Sequence, residues 1–346
     1  MLYSNVQIAS LGYELAPHVI TSRDLEQRLA PVYEALHLQL GQLEALTGIA
    51  ERRFWDTDFR LSEGAIRAAQ TALETAQIPS REIGMLIYGG VCRENLEPAT
   101  ACAVAHGLGL DNDTQIYDVS NACLGVLNGM VQVANAIELG QIQAGLVVSC
   151  ESSRQIVDLT IERILAACDM EVLRETLATL TGGSGAVAVI LCQAGLTQSG
   201  HRMLGGVARS ATRFHRLCTW GPDTGIPASR PHVMRTDSVG VLKHGVALGI
   251  ETFRAFINEL GWAADKPDKV ICHQVGSAHQ RTILESIGLD QSKDFTTYRF
   301  LGNIGTVSLP ITAAIADERD FFQSGDLVGF LGIGSGLNCL MLGIEW

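Results

Sequence analysis

Three polar side chains stand where covalent chemistry is possible. Cys123 follows the strand-like run TQIYDVSN and stands in the opening turn of the helix expected from Ala122 to about Leu139. The unpaired N–H groups and the dipole at a helix start favour a thiolate, so the position suits a nucleophile. Gly125 and Gly129 just beyond it would let other backbone or a substrate chain come close. Cysteine is also among the most buried residue types and eight others occur here, so a structural thiol is the competing reading. His273 ends the strand VICHQ, at the edge where α/β proteins place their sites. Taken alone it is equally a satisfied core or surface histidine. Asn303 precedes a helix in FLGNIG, where capping is the usual task of an asparagine. If the three converge on one pocket, they offer a thiol nucleophile with two polar groups beside it.

An internal repeat is what would bring them together. In the first half the strand IGMLIYGG leads to the helical run ATACAVAHGLGLD, the strand TQIYDVSN, a helix stopped by Gly140, and the strand AGLVVSCE. In the second half DKVICHQ, SAHQRTILESIGLD, KDFTTYRFLGN, a helical run through PITAAIADERDFFQ and DLVGFLGI follow in the same order. The repeat places Asn303 opposite Asn121 and Gly305 opposite Cys123, so a pseudo-twofold would set the two helix starts face to face. Leu127, Met130, Val131, Ala134 and Ile137 fall on one helical face. Val/Ile-rich strands alternating with helices predict two similar α/β halves, residues 1–196 and 197–346, with mostly parallel sheets covered on both faces.

Composition narrows the class. The chain has 346 residues, 47% of them hydrophobic and 18% charged, which fits a fully packed globular protein and excludes a disordered one. Its net charge of −12 argues against unspecific grip on nucleic acid or an anionic membrane. No basic region followed by an apolar run opens the sequence, so no signal peptide is expected. Nine scattered cysteines without a CxxC pair read as reduced thiols of a cytoplasmic protein, not as a disulfide frame or zinc site. Leu327–Ile344 is uncharged but holds five glycines with Ser335 and Asn338, and it reads as two buried strands around a GSG turn instead of a membrane span. Arg202, Arg209, Arg213, Arg216, Arg230 and Arg235 gather between the halves, in and after GGVARSATRFHRLC, itself a candidate hairpin, and around the loop WGPDTGIPASRP. They either receive phosphates or lie solvated on the surface. GGSGAVAVI lacks the lysine of a P-loop and the spacing of a dinucleotide motif. His106, His244 and His279 fall within helical runs and read as structural, and Asp118 as a group serving strand or turn geometry.

DVSNACLG, ICHQVGSAHQ, FLGNIGTVSLP and GIGSGLNC, in this order, resemble the thiolase superfamily over essentially the whole chain, nearest its β-ketoacyl-ACP synthase III branch. The resemblance implies a five-layered αβαβα thiolase fold, a homodimer, no cofactor or metal, and a Cys123–His273–Asn303 site. Ordinary priming synthases show HQAN, GNTSAAS and a GGG turn; this chain has HQVG, GNIGTVS and GSGLNC. With RENLEPATA around Glu97, those variants are similar to the OleA-type thiolases of long-chain olefin biosynthesis. That implies condensation of two fatty acyl-CoAs without decarboxylation to a 2-alkyl-3-keto acid, with further olefin-pathway enzymes as partners. The alternative is a decarboxylating synthase using malonyl-ACP, and the acyl donor is CoA or acyl-carrier protein. On this reading the N–H groups of Cys123 and of the Ser335–Gly336 turn form the oxyanion hole. Glu97, by resemblance on a loop that reaches into the partner's site, is the base, its pKa raised in an apolar tunnel. By itself, a glutamate before proline in a loop is commonly just exposed.

Overall fold

The structure is a computed structural model and describes residues 1–198, 200–221, 233–263 and 265–346. Nine strands pair in one order: β1 (Val6–Leu15), β2 (Ile83–Gly89), β3 (Gln115–Val119), β4 (Ala144–Glu151), β5 (Gly185–Gln193), β6 (His201–Ser210), β7 (Lys269–Cys272), β8 (Leu327–Gly334) and β9 (Asn338–Glu345). They lie as β7-β8-β9-β6-β1-β5-β4-β2-β3. The order is almost cut in the middle, where β1 and β6 share only the pairs Gln7–Arg202 and Ile8–His201. One sheet therefore belongs to each half.

Side-chain composition decides which helices fill the space between the sheets. Helix α1 (Leu61–Ala76) turns Ala65, Ala68, Ala69 and Ala72 onto the first sheet, and α2 (Thr100–Leu108) packs beside it. Helix α3 (Gly125–Glu138) buries Leu127, Met130, Val133 and Ile137 in the central core. Further along, α4 (Ser238–Leu260) and α5 (Ser277–Ile287) cover the outer face of the second sheet with Leu248, Phe253, Phe256, Ile283 and Leu284. Helix α6 (Ser308–Glu318) buries Ser308 through Ala316 without a break, so it has no solvent face and must be internal. It shares the central core with α3, Val187 and Val189 of β5, and Phe330 of β8. The layers run outer helices, sheet, α3 and α6, sheet, outer helices: the five-layered αβαβα arrangement.

Strand direction departs from expectation. Only β2–β3, β2–β4 and β7–β8 are parallel, while β1–β5, β4–β5, β6–β9, β8–β9 and β1–β6 are antiparallel. A Val/Ile-rich run reports burial on both faces, which an internal antiparallel strand shares. A short turn such as the one between β8 and β9 can join only antiparallel neighbours. Gly205–Ser210, the start of the expected hairpin GGVARSATRFHRLC, is instead part of the full strand β6 of the second sheet, paired along β9. KDFTTYRF, the counterpart of β3 in the repeat, contributes just a bridge between Val270 and Asp294. The loop WGPDTGIPASRP lies almost wholly outside the described residues, as does Arg230.

Candidate active site

Cys123 sits on the tight connection between β3 and α3. Ala122 before it adopts a left-handed conformation (φ 47°), and the Leu124 N–H closes back on the Asn121 carbonyl at 2.9 Å. Helix α3 begins two residues later, at Gly125, not at Ala122. Glycine is required there, since an added Cβ would stand 2.9 Å from the Gly89 carbonyl carbon. Gly129 likewise meets Val147, so both glycines admit the neighbouring strands and not a substrate chain. The Val126 N–H, free of an intrahelical partner at the first turn, donates to Thr306 Oγ1 at 2.8 Å. The second half thus caps the helix that carries the cysteine.

The end of β8 forms the opposite wall. A Cβ placed on Gly334 would lie 3.4 Å from the Cys123 nitrogen, so the Ser335–Gly336 turn starts directly beside the thiol's own N–H. Asn338 braces that turn: its Nδ2 donates to Asn121 Oδ1 at 3.1 Å and to the Ser335 carbonyl at 3.3 Å, and its Oδ1 accepts from Ser210 Oγ at 2.7 Å. Asn121 passes the chain on to Asn128, Nδ2 to Oδ1, at 2.8 Å.

His273 follows β7, and its amide donates to the Leu331 carbonyl of β8 at 3.1 Å. Gly334 lies three positions beyond Leu331, about 10 Å along the strand, so one strand end touches both the His273 backbone and the Cys123 backbone. The imidazole lines a narrow cavity of about 20 Å³ with His279, Gly249, Gly332 and Met341, room for about one water. His279, read from the sequence as structural, therefore shares the histidine's surroundings. Gln274 and Asp294 hold the strand end in place. Gln274 Oε1 accepts from the amides of Thr297 and Tyr298, at 2.9 and 3.1 Å. Asp294 accepts from the Cys272 amide at 3.1 Å and from Gln280 Nε2 at 2.8 Å.

Asn303 lies just before α6, with its backbone bonded to Thr181 and Gly183. Its Oδ1 accepts from the Gly305 N–H at 3.1 Å, a turn bond two residues on and not the helix cap expected of it, since α6 starts only at Ser308 after Val307; this leaves Nδ2 as the donor. Gly305 and Thr306, two and three residues on, abut Glu151 and α3 respectively, so the Asn303 turn and the Cys123 turn meet.

Electrostatics revises one expectation. Burial pushes the Cys123 thiol up to about 12, with the Glu151 charge adding to it. A hydrogen bond from the residue's own amide opposes the rise without offsetting the burial. Burial also holds His273 down at about 3, His279 adding to the shift, and His279 itself at about 4. The resting pair is a neutral thiol and a neutral imidazole, not a preformed thiolate–imidazolium pair.

Glu97 is exposed, on the segment between β2 and α2, so among the described residues no apolar surroundings enclose it. The segment is anchored nonetheless: Asp118, expected to serve strand or turn geometry, instead accepts from the first amides of α2, Thr100 and Ala101, at 2.8 and 2.9 Å. Among the arginines, Arg202 pairs with Glu345 at 2.8 Å and Arg213 stacks on Phe214, while Arg209, Arg216 and Arg235 are exposed. Sequence reasoning missed Glu151, Thr306, Asn338 and Gln274. A signal existed for the first alone, an acid closing the buried run AGLVVSCE. Among the described residues, no group of three or more His, Cys, Asp or Glu side chains is placed to hold a metal, and no helix is long and apolar enough to cross a membrane.

Comparison with known proteins bears on this arrangement. Residues 48–195 match the model of the thiolase N-terminal domain, and residues 257–346 that of the 3-oxoacyl-[acyl-carrier-protein] synthase III C terminal. An acyl-CoA:acyl-CoA alkyltransferase of Shewanella oneidensis is 53% identical, and one of Xanthomonas campestris pv. campestris is 38% identical, each match covering 100% of both chains. A β-ketoacyl-[acyl-carrier-protein] synthase III of Bacillus cereus is 26% identical over 99% of both chains. Crystal structures of Xanthomonas campestris OleA, including a variant with bound lauric acid and lauroyl-CoA, superpose with a TM-score of 0.94 at 38% identity and cover 100% of this chain. By fold, by site architecture and by these relatives, the chain belongs to the thiolase superfamily, in its acyl-CoA:acyl-CoA alkyltransferase (OleA) family.

Proposed function

We propose that this enzyme joins two fatty acyl-CoAs head to head, without decarboxylation, through an acyl-enzyme on Cys123. The observation that carries the reading is the meeting of three turns around one thiol: β8 lies against both His273 and Cys123, and the Asn303 turn caps the helix that follows Cys123. The neutral pair supports the first step. As Cys123 Sγ attacks the thioester carbon, its proton passes to His273, which is unprotonated at rest and able to accept it. The tetrahedral oxygen is met by the N–H groups of Cys123 and of the Ser335–Gly336 turn. CoA then leaves as the thiol, taking up the proton.

In the second step another acyl-CoA loses an α-proton to the Glu97 carboxylate, with His273 and Asn303 Nδ2 polarising its thioester oxygen. The enolate carbon attacks the Cys123 acyl carbonyl, a carbon–carbon bond forms and the thiolate is released. Hydrolysis of the remaining thioester gives the 2-alkyl-3-keto acid. Because Glu97 is exposed in its own copy, we assign it to the site of a second copy in a homodimer. Residues 1–196 and 197–346 are read as the two repeat halves, and the two matched family domains support that division. The exposed Arg209, Arg216 and Arg235 are candidates for contact with CoA phosphates. The test is Glu97→Ala: one equivalent of CoA should still be released per site as Cys123 is acylated, while condensed product falls by at least about 100-fold. Undiminished condensation would remove Glu97 as the base.

A further inference from the structure

The mechanism leaves one buried acid at the site without a task. Glu151 closes β4 and is 4% exposed. Its Oε1 accepts from the Val91 N–H at 2.9 Å and its Oε2 from the Cys92 N–H at 3.1 Å, at the root of the segment that carries Glu97. On the other side the Asn303 turn closes on the same carboxyl group: a Cβ on Gly305 would stand 3.4 Å from its Cδ and Cγ, and the nearby Thr306 amide helps hold its pKa down. Its own backbone is fixed by pairing with Gly185 and by Trp55 Nε1, which donates to its carbonyl at 3.1 Å.

The rest of the arm is pinned in the same way. Glu94 accepts from the Ser62 N–H at 2.8 Å and its hydroxyl at 2.6 Å, and Asp118 receives the first amides of α2. The tip, Asn95–Pro98, is the continuous exposed stretch of the arm.

We propose that Glu151 is a positioning residue: its carboxylate ties the root of the Glu97 arm to the Asn303 turn, so that one buried group sets the place of both. A carboxylate fits where a neutral side chain would not, since two successive backbone N–H groups of the arm donate to it, one to each oxygen, while the Asn303 turn packs against its other side. Burial raises its pKa and those same donors oppose the rise. With Glu97 serving a second copy, the linkage joins the Asn303 turn of one site to the base lent to the other. The inference rests on the reading of Glu97 as the base.

Glu151→Gln keeps the size but turns an NH₂ group against one of the two amide donors. Acylation of Cys123, read as the stoichiometric release of CoA, should not slow by more than about threefold, because that step does not use the arm and losing the Glu151 charge eases ionisation of the thiol. Condensation should fall about 10- to 100-fold, the loss expected of a base displaced by roughly 1 Å. A residue needed only for folding would depress both steps alike, so equal losses overturn the proposal, as does unchanged condensation. Glu97→Gln is run beside it: if that variant condenses normally the base assignment fails, whereas a dead Glu97→Gln with a fully active Glu151→Gln removes only the positioning role. Should the glutamine variant fail to fold, Glu151→Asp carries the test. It keeps the charge and withdraws it by one methylene, and the same selective loss is expected at smaller amplitude.

Discussion

The protonation state of the site makes a prediction that separates it from a preformed thiolate. With Cys123 at about 12, five pH units above neutrality, about one molecule in 10⁵ carries the thiolate at pH 7. An ordinary thiol of pKa ~8.5 is about 3% ionised there, a difference of roughly three orders of magnitude. Iodoacetamide, which brings no base and binds nowhere in the site, should therefore modify the exposed Cys102 and Cys168 well before Cys123 at pH 7. Labelling of Cys123 should climb about tenfold per pH unit up to pH 10. Acylation by an acyl-CoA should behave otherwise. His273 is neutral down to about pH 3, so it accepts the thiol proton equally well at pH 5 and pH 8, and the single-turnover rate should show no histidine limb between them. Peptide-resolved mass spectrometry after timed labelling supplies the first profile and rapid-quench CoA release the second. Cys123 labelling ahead of Cys102 and Cys168 at neutral pH would refute the reasoning, because a stable thiolate must then exist.

Three further outcomes follow from single contacts. Thr306→Val strips the acceptor from the buried Val126 amide and should cost about 1–3 kcal/mol in urea unfolding, with slower Cys123 acylation; a loss under about 0.3 kcal/mol would mean the cap is idle. Asn338→Ala releases the turn beside Cys123 and should lower kcat about tenfold or more with little change in KM, whereas a change confined to KM would place the turn's role in binding. Burial lifts Asp294 from the usual carboxylate range to about 7. A raised folded-state pKa means full stability below about pH 4 and progressive loss as pH rises through 7, by at most about 4 kcal/mol at ~1.4 kcal/mol per unit. Asp294→Asn should flatten that slope in thermal unfolding between pH 5 and 8, and an unchanged slope would assign it to another group.

What could be read from the chain follows from where signals are local. Cys123 and His273 lie where a strand gives way to a helix or turn, and Asn303 lies between a short helix, Tyr298–Leu301, and α6; such junctions are punctuated by Gly, Asn and polarity. The repeat then pointed to α3 and α6 as partners, and both are the internal helices. Strand direction was not legible, because Val/Ile runs record burial and not the neighbour's heading. Nor were Thr306, Asn338 and the reach of Glu151 to the Glu97 arm. Each acts on groups far off in sequence, 180 residues for Thr306–Val126, 217 for Asn338–Asn121 and 60 for Glu151–Val91, and no spacing rule encodes such pairs. The thiol's state was misread for a related reason. The helix dipole is visible in sequence as a boundary, but the desolvation that outweighs it comes from chain that arrives from elsewhere.

The most direct test of the central claim gives the purified enzyme a long-chain acyl-CoA as its only substrate and identifies the products by mass spectrometry. Head-to-head condensation predicts a 2-alkyl-3-keto acid, or the symmetrical ketone left when it loses CO₂, with two CoA released per product. Product that forms only when malonyl-ACP is added, one acyl chain longer by two carbons, would contradict it and make the enzyme a decarboxylating synthase.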